Sequence, residues 1–187
     1  MSKTTIPTAG LADAAVTTAK ITDANITTAK IADDAVTAAK ATGFGKVAQV
    51  VQAICSGGDS STNSSTLQST NVAVTITPSA SDSKVLVSMN FGGSSGADQN
   101  KTLGLRMFRG STALGNNTQI GNYNATSAGQ RSHNMSIQFL DSPSTTSATT
   151  YTLKFHCAQG DSTVSITASG DTQAYAQAME ILAWCLK

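Results

Sequence analysis

Glu180 is the only glutamate in the chain, and it sits inside an apolar stretch beside Met179 and Ile181. Cleaving a glycosidic bond by acid–base chemistry needs two carboxylates about 5–10 Å apart. The other acidic residues are aspartates, and four of them (Asp13, Asp23, Asp33, Asp34) fall in a repeated N-terminal segment. Asp141, Asp161 and Asp171 fall in turn-like sequence, where an aspartate is expected because its side chain bonds the local backbone. This distribution speaks against a polysaccharide-degrading enzyme. His133 and His156 are the only histidines, and both fall in segments of strand-like alternation. Three symmetry-related copies of one of them would suffice for a metal on an axis; the other reading is a hydrogen-bonded strand histidine. Ser/His/Asp combinations can be drawn from any serine-rich chain and carry no weight without geometry. The Gly92–Gly96 stretch lacks the Lys-Ser/Thr and following helix of a phosphate loop. No catalysis and no cofactor are expected.

The remaining composition narrows the partners. Charged residues make up 12%, half the globular norm of about 25%, and Ser, Thr, Asn and Gly take their place. Such a surface is polar without being charged. The net charge is +1, and Lys3, Lys20, Lys30, Lys40 and Lys46 near the N-terminus are interleaved with aspartates. No basic stripe exists to follow a phosphate backbone, so nucleic acid is not an expected partner. No run approaches the roughly 18 apolar residues of a membrane span, and residues 1–10 lack the apolar centre of a signal peptide. Cys55, Cys157 and Cys185 form an odd set without CxxC spacing, which reads as reduced, buried small hydrophobes.

Residues 1–46 are built from a repeat. LADAAVTTAK (11–20), ITDANITTAK (21–30) and IADDAVTAAK (31–40) stand in perfect register, placing Leu11, Val16, Ile21, Ile26, Ile31 and Val36 five residues apart. On a continuous α-helix five residues turn about 140° from the previous apolar position, so the stripe smears around the cylinder. On a strand an odd spacing sends successive side chains to opposite faces. A bent unit accounts for the pattern better: the aspartate stands where an N-cap belongs and the lysine where a cation favours a helix C-terminus. Two large aliphatics per decad contribute about 3–6 kcal/mol if fully buried, against roughly 10–20 kcal/mol of backbone entropy for ten residues. One chain cannot bury so narrow a stripe, but identical chains around a shared axis can. The six aliphatics are therefore the expected core of a shaft in which identical chains share one axis. The alternative is a disordered linker, against which the strict register argues.

From residue 47 the period switches to two. Alternation appears at Val72/Val74/Ile76, Val85/Val87/Met89/Phe91, Leu103/Leu105/Met107, Met135/Ile137/Phe139, Tyr151/Leu153/Phe155, Val164/Ile166/Ala168 and Met179/Ile181/Ala183. With 47–54 these make eight strand candidates separated by turns such as 56–65, 92–96 and 141–150. The expected class is all-β: an antiparallel, jelly-roll-like sandwich over 47–187, preceded by the repeat-built shaft at 1–46.

Both halves resemble small tail-fibre proteins of marine and cyanobacterial phages. The resemblance is carried by the decads, by Gly45-Lys46-Val47-Ala48-Gln49-Val50-Val51-Gln52, and by Ser83-Lys84-Val85-Leu86-Val87. Arg109-Gly110-Ser111-Thr112-Ala113-Leu114-Gly115, Phe139-Leu140-Asp141-Ser142-Pro143 and Met179-Glu180-Ile181 extend it over nearly the whole chain. It implies a homotrimer with a TNF/C1q-like head, displayed on a virion after synthesis in the host cytoplasm. It also implies virion partners, in tail, baseplate or capsid, for residues 1–40, and a host-surface glycan or protein for the head. A head fibre or capsid decoration protein with an assembly role is the alternative within the same resemblance.

The stretch 115–131 (GNNTQIGNYNATSAGQR) is weakly patterned and longer than most connections. Asn122, Tyr123, Asn124 and Arg131 are of the types that recur in adaptable binding surfaces. They are candidates for receptor contact, or else for a solvated loop packing on a neighbouring subunit.

Overall fold

The computed structural model describes residues 16–17, 19, 21, 26–32, 35, 46–95, 102–121, 131–158, 163–167 and 173–182. The chain divides into two units, Met1–Phe44 and Gly45–Lys187.

In the first unit a 3-10 turn spans Thr28–Lys30, at the end of the second decad. Lys30 N–H donates to the Thr27 carbonyl at 2.9 Å, and Ala35 N–H to the Ala32 carbonyl at 3.0 Å. The described residues of the repeat thus carry turns bridging three residues, each too short to bury an apolar face of its own.

The second unit contains ten strands among its described residues: β1 Lys46–Cys55, β2 Ser60–Thr62, β3 Gln68–Ile76, β4 Lys84–Ser95, β5 Thr102–Arg109, β6 Thr112–Gly121, β7 Arg131–Asp141, β8 Thr149–Cys157, β9 Val164–Thr167 and β10 Ala174–Leu182. They form two antiparallel sheets. The larger runs β1-β10-β4-β9-β2, with β7 on the other edge of β4; the smaller runs β3-β8-β5-β6. The fold is an all-β sandwich, as the alternation predicts. Between the sheets lie Val72, Val74 and Ile76 from β3, Val85, Val87, Met89 and Phe91 from β4, Leu103 and Leu105 from β5, and Tyr151, Leu153 and Phe155 from β8, all buried. Each contributes about 1.5–3 kcal/mol by leaving water. Met135, Ile137 and Phe139 of β7 pack on this core from its margin. The β5–β6 hairpin turns at Gly110 and Ser111. Gly110 has φ +54°, a left-handed conformation that tight hairpin turns require and glycine adopts freely.

Four details differ from the sequence reading. The stretch 115–131 is not one long loop: β6 takes it up to Gly121 and β7 starts at Arg131, leaving 122–130 as the connection. Asn116, Asn117 and Thr118 are exposed on this edge strand, so no apolar alternation marks it. Residues 60–62 form a short strand inside the expected 56–65 turn, and β4 continues through Gly92–Ser95 where a turn was expected. In β10 the buried residues are Ala174, Ala176, Ala178 and Glu180. The bulkier Met179 and Ile181 occupy the outer face, the reverse of the usual large-inside rule.

Candidate functional site

Of the six shaft aliphatics, Val16, Ile21, Ile26 and Ile31 are exposed in the single chain, at 60, 40, 55 and 39%. Leu11 and Val36 lie outside the described residues, as do Asn122, Tyr123 and Asn124; Arg131 opens β7.

The two buried carboxylates among the described residues, Glu180 and Asp141, are both held by hydrogen bonds. Glu180 is fully buried. One carboxylate oxygen accepts from Ser79 N–H at 2.7 Å, Ser79 Oγ at 2.8 Å and Ser83 Oγ at 2.7 Å. The other accepts from Gln49 Nε2 at 2.7 Å. Burial alone would raise its pKa, but the hydrogen bonds from Gln49, Ser83 and Ser79 together outweigh burial and lower it to about 2. The charge is held by donors from β1 and from the β3–β4 connection, so Glu180 fastens that connection to β10. Asp141 is the last residue of β7 rather than part of a turn. It accepts from Arg109 Nη1 at 2.9 and 2.8 Å and from Tyr151 Oη at 2.8 Å. Burial first, then Asp141 as hydrogen-bond partner and neighbouring charge, push the Tyr151 phenol far above its ordinary value, with Arg109 opposing. Asp161 and Asp171 lie outside the described residues.

His133 lies on β7 and is exposed. His156 lies on β8 with its ring over Gly104 of β5, buried, and its Nδ1 has no hydrogen-bond partner among the described residues. Only the strand part of the expectation for a hydrogen-bonded histidine therefore holds at Nδ1. Cys55 and Cys157 are buried free thiols.

The outer face of the larger sheet is ordered in rows set by strand register. Val50, Met179, Leu86 and Leu140 align across β1, β10, β4 and β7, with Val50 57% and Leu140 50% exposed. The next row is polar: Gln177 Nε2 donates to Gln52 Oε1 at 3.0 Å, and Gln138 Nε2 to Ser88 Oγ at 3.4 Å. The row after that is Ile54, Tyr175, Asn90 and Ser136. There the sheet splits: one edge of β4 pairs with β10 up to Asn90 and with β9 from Gly92 onward. At the split lies an open cleft of about 450 Å³ lined by Asn90, Gly92, Asn134, Ser136, Gln173 and Tyr175, with Phe91 and Met135 beneath. Sequence reasoning points to none of these as a binding residue: Gly92 enters it only in the stretch weighed as a phosphate loop and turn, and Phe91 and Met135 only as strand positions. Their one signal is polar side chains at outward positions between inward Met89, Phe91 and Met135, which is ordinary for a half-buried strand.

No known protein family matches the sequence, and no curated protein matches it. Among solved structures the chain is similar to the VP2 subviral particle of infectious bursal disease virus, at 10% identity and a TM-score of 0.36 over 71% of this chain and 40% of that chain. The T13 particle of the same virus gives 10% identity and a TM-score of 0.37 over 71% and 38%. The chain spans about two fifths of the length of these capsid chains. At such identities and TM-scores the sandwich assignment rests on the strand pairing of this chain itself.

Proposed function

We propose that the chain is the subunit of a homotrimeric bacteriophage fibre or spike, held to the virion by residues 1–40 and touching the host surface with its head. On this reading it acts by binding and carries out no catalysis. The observation that carries the proposal is the exposure of Val16, Ile21, Ile26 and Ile31 at strict five-residue spacing. Aliphatics repeated in register and left in water by their own chain call for partners with the same repeat, and copies of this chain supply it. The exposed row of Val50 and Leu140, with Met179 and Leu86 between them, is a second apolar strip suited to a contact between copies. The resemblance of both halves to phage tail fibres points the same way. Attachment fits a surface rich in uncharged hydrogen-bonding groups, since three copies raise a weak single-site affinity by about 10²–10⁴ when they engage together.

Light scattering on the purified chain tests the proposal. The expected mass is three times 19.0 kDa; a monodisperse monomer at micromolar concentration overturns it.

A further inference from the structure

We infer that the cleft at the split of the larger sheet is a binding site for a neutral pyranose. The inference deepens the attachment reading and rests on it for its biological role, though not for the binding itself.

The cleft exists because of how β4 changes partners. Beyond Asn90 the strand leaves β10, and from Gly92 it takes β9 along the same edge. Gly92 has no side chain, so where the partner changes, the outer face is floored by backbone. Across β4 the register sets Asn90 between Tyr175 and Ser136, and Gly92 opposite Asn134. Directly opposed side chains start about 4.5–5.5 Å apart, so amide, hydroxyl and aromatic groups converge on one hollow. Its volume of about 450 Å³ falls within the ~300–1,000 Å³ of pockets that hold small ligands.

The lining chemistry selects the ligand. No lining residue carries a charge, so an ionised ligand would enter without a counter-charge. Asn90, Asn134 and Gln173 bring primary amides, each offering two N–H donors and a carbonyl acceptor. Sugar hydroxyls also donate and accept, which makes amides their natural complement. Tyr175 Oη donates to Gln173 Oε1 at 3.1 Å; this occupies one lone pair of that oxygen, orients the amide and leaves its Nε2 to donate. Among the described residues no side-chain hydrogen bond engages Asn90, Asn134 or Ser136, and all three are exposed, so their capacity is open to a ligand. The half-buried Tyr175 ring supplies an apolar surface for the C–H face of a pyranose. Four residues along β4 separate Asn90 from Leu86, roughly 13 Å at strand rise. The cleft and the exposed apolar row are therefore distinct places on one face.

The test is saturation-transfer NMR and calorimetry on the full chain. The probes are methyl glycosides of glucose, galactose and mannose, together with N-acetylglucosamine and sodium glucuronate. At least one neutral sugar should bind with a Kd on the order of 1 mM, and glucuronate at least about 10-fold more weakly. The double variant Asn90→Ala/Asn134→Ala changes only exposed side chains and should lose at least about 10-fold in affinity with its melting temperature unchanged. Tyr175→Phe keeps the ring but releases Gln173, and should weaken binding several-fold. No transfer to any neutral sugar, or wild-type affinity in the double variant, overturns the site. A trimer that binds no sugar leaves the virion reading standing, whereas a monomer that binds sugar overturns that reading and keeps the site.

Discussion

Gln49 and Glu180 lie 131 residues apart in sequence and are joined by a 2.7 Å hydrogen bond from amide Nε2 to carboxylate. The same Gln49 nitrogen donates to the Thr77 carbonyl at 2.7 Å. One amide therefore ties β1 both to β10 and to the connection leaving β3, while Ser79 and Ser83 hold the other carboxylate oxygen. A buried carboxylate without these donors would be costly; with them, it fastens three parts of the head.

This arrangement predicts acid sensitivity. The folded pKa of Glu180 is lowered from 4.5 to about 2, so the folded state binds its proton less readily than the unfolded state. The contribution is fully present above pH 4.5 and is lost as the pH falls through about 2. It amounts to about 3 kcal/mol. Urea unfolding of the head between pH 6 and 2 should show this loss. Glu180→Gln should be less stable at pH 6 by a similar amount and show a flatter acid limb. An unchanged slope in the variant assigns the acid response to other carboxylates.

The Arg109–Asp141–Tyr151 cluster predicts behaviour at the opposite end of the scale. Tyr151 holds its proton more tightly folded than unfolded, so its contribution is complete below pH 10.0 and falls as the pH rises beyond it. Tyr151→Phe should cost roughly 1–3 kcal/mol near neutrality and remove this alkaline loss. Asp141→Ala should cost more, about 3–5 kcal/mol, because it leaves Arg109 without its charge partner. Equal stability of Asp141→Ala and wild type in urea titrations would sink the account.

With Glu180 and Asp141 committed in this way and no second glutamate in the chain, the purified protein should release no reducing sugar from polysaccharide, lipopolysaccharide or peptidoglycan. Reproducible release that disappears on changing Asp141, Asp161 or Asp171 would overturn the non-enzymatic reading.

The strands were legible wherever one face was apolar and the other polar. Val85, Val87, Met89 and Phe91 alternate cleanly and form the inner face of β4. β6 was hidden because Asn116–Thr118 stand on an edge strand with water on their exposed sides, where nothing selects apolar residues. The inverted face of β10 was hidden for another reason. A glutamate reads as an outward residue until four donors from distant segments are known to meet it, and the alanines on its face give little signal. Asn90, Asn134 and Gln173 converge only through strand register and the partner change at Gly92, in a chain where asparagine and serine are common everywhere. The decads were legible as a repeat, yet Val16, Ile21, Ile26 and Ile31 stay exposed in the single chain, so what covers them could not be read from one chain.

The shaft can be tested by one substitution. Ile26 is 55% exposed in the single chain, so Ile26→Asp should barely affect an isolated subunit. In a trimeric seam the carboxylate would enter an apolar environment at a cost of several kcal/mol. Light scattering should show loss of the trimer, and limited proteolysis should leave a stable fragment from about residue 47 onward. A trimer of unaltered mass and melting temperature would rule out Ile26 as a seam residue. Unfolding of the head along with the shaft would show that the two units depend on each other.

The last prediction concerns orientation on the particle. On the proposed reading the repeat, which shows only short turns among its described residues, is ordered by neighbours, which suits a segment docked among virion proteins. The head has its own core and fastening points, which suits exposure. Deleting residues 1–40 should therefore abolish incorporation into particles while the head stays folded. Changing Tyr123 and Arg131 together to alanine should leave incorporation intact and reduce adsorption to cells. Tyr123 falls in the sequence between β6 and β7, and Arg131 opens β7; an aromatic ring and a guanidinium are residue types that often carry binding energy. Normal adsorption by the double variant would make that connection structural and favour a decoration role. Incorporation of the truncated chain would reverse the orientation, placing the head against the particle and the repeat outside.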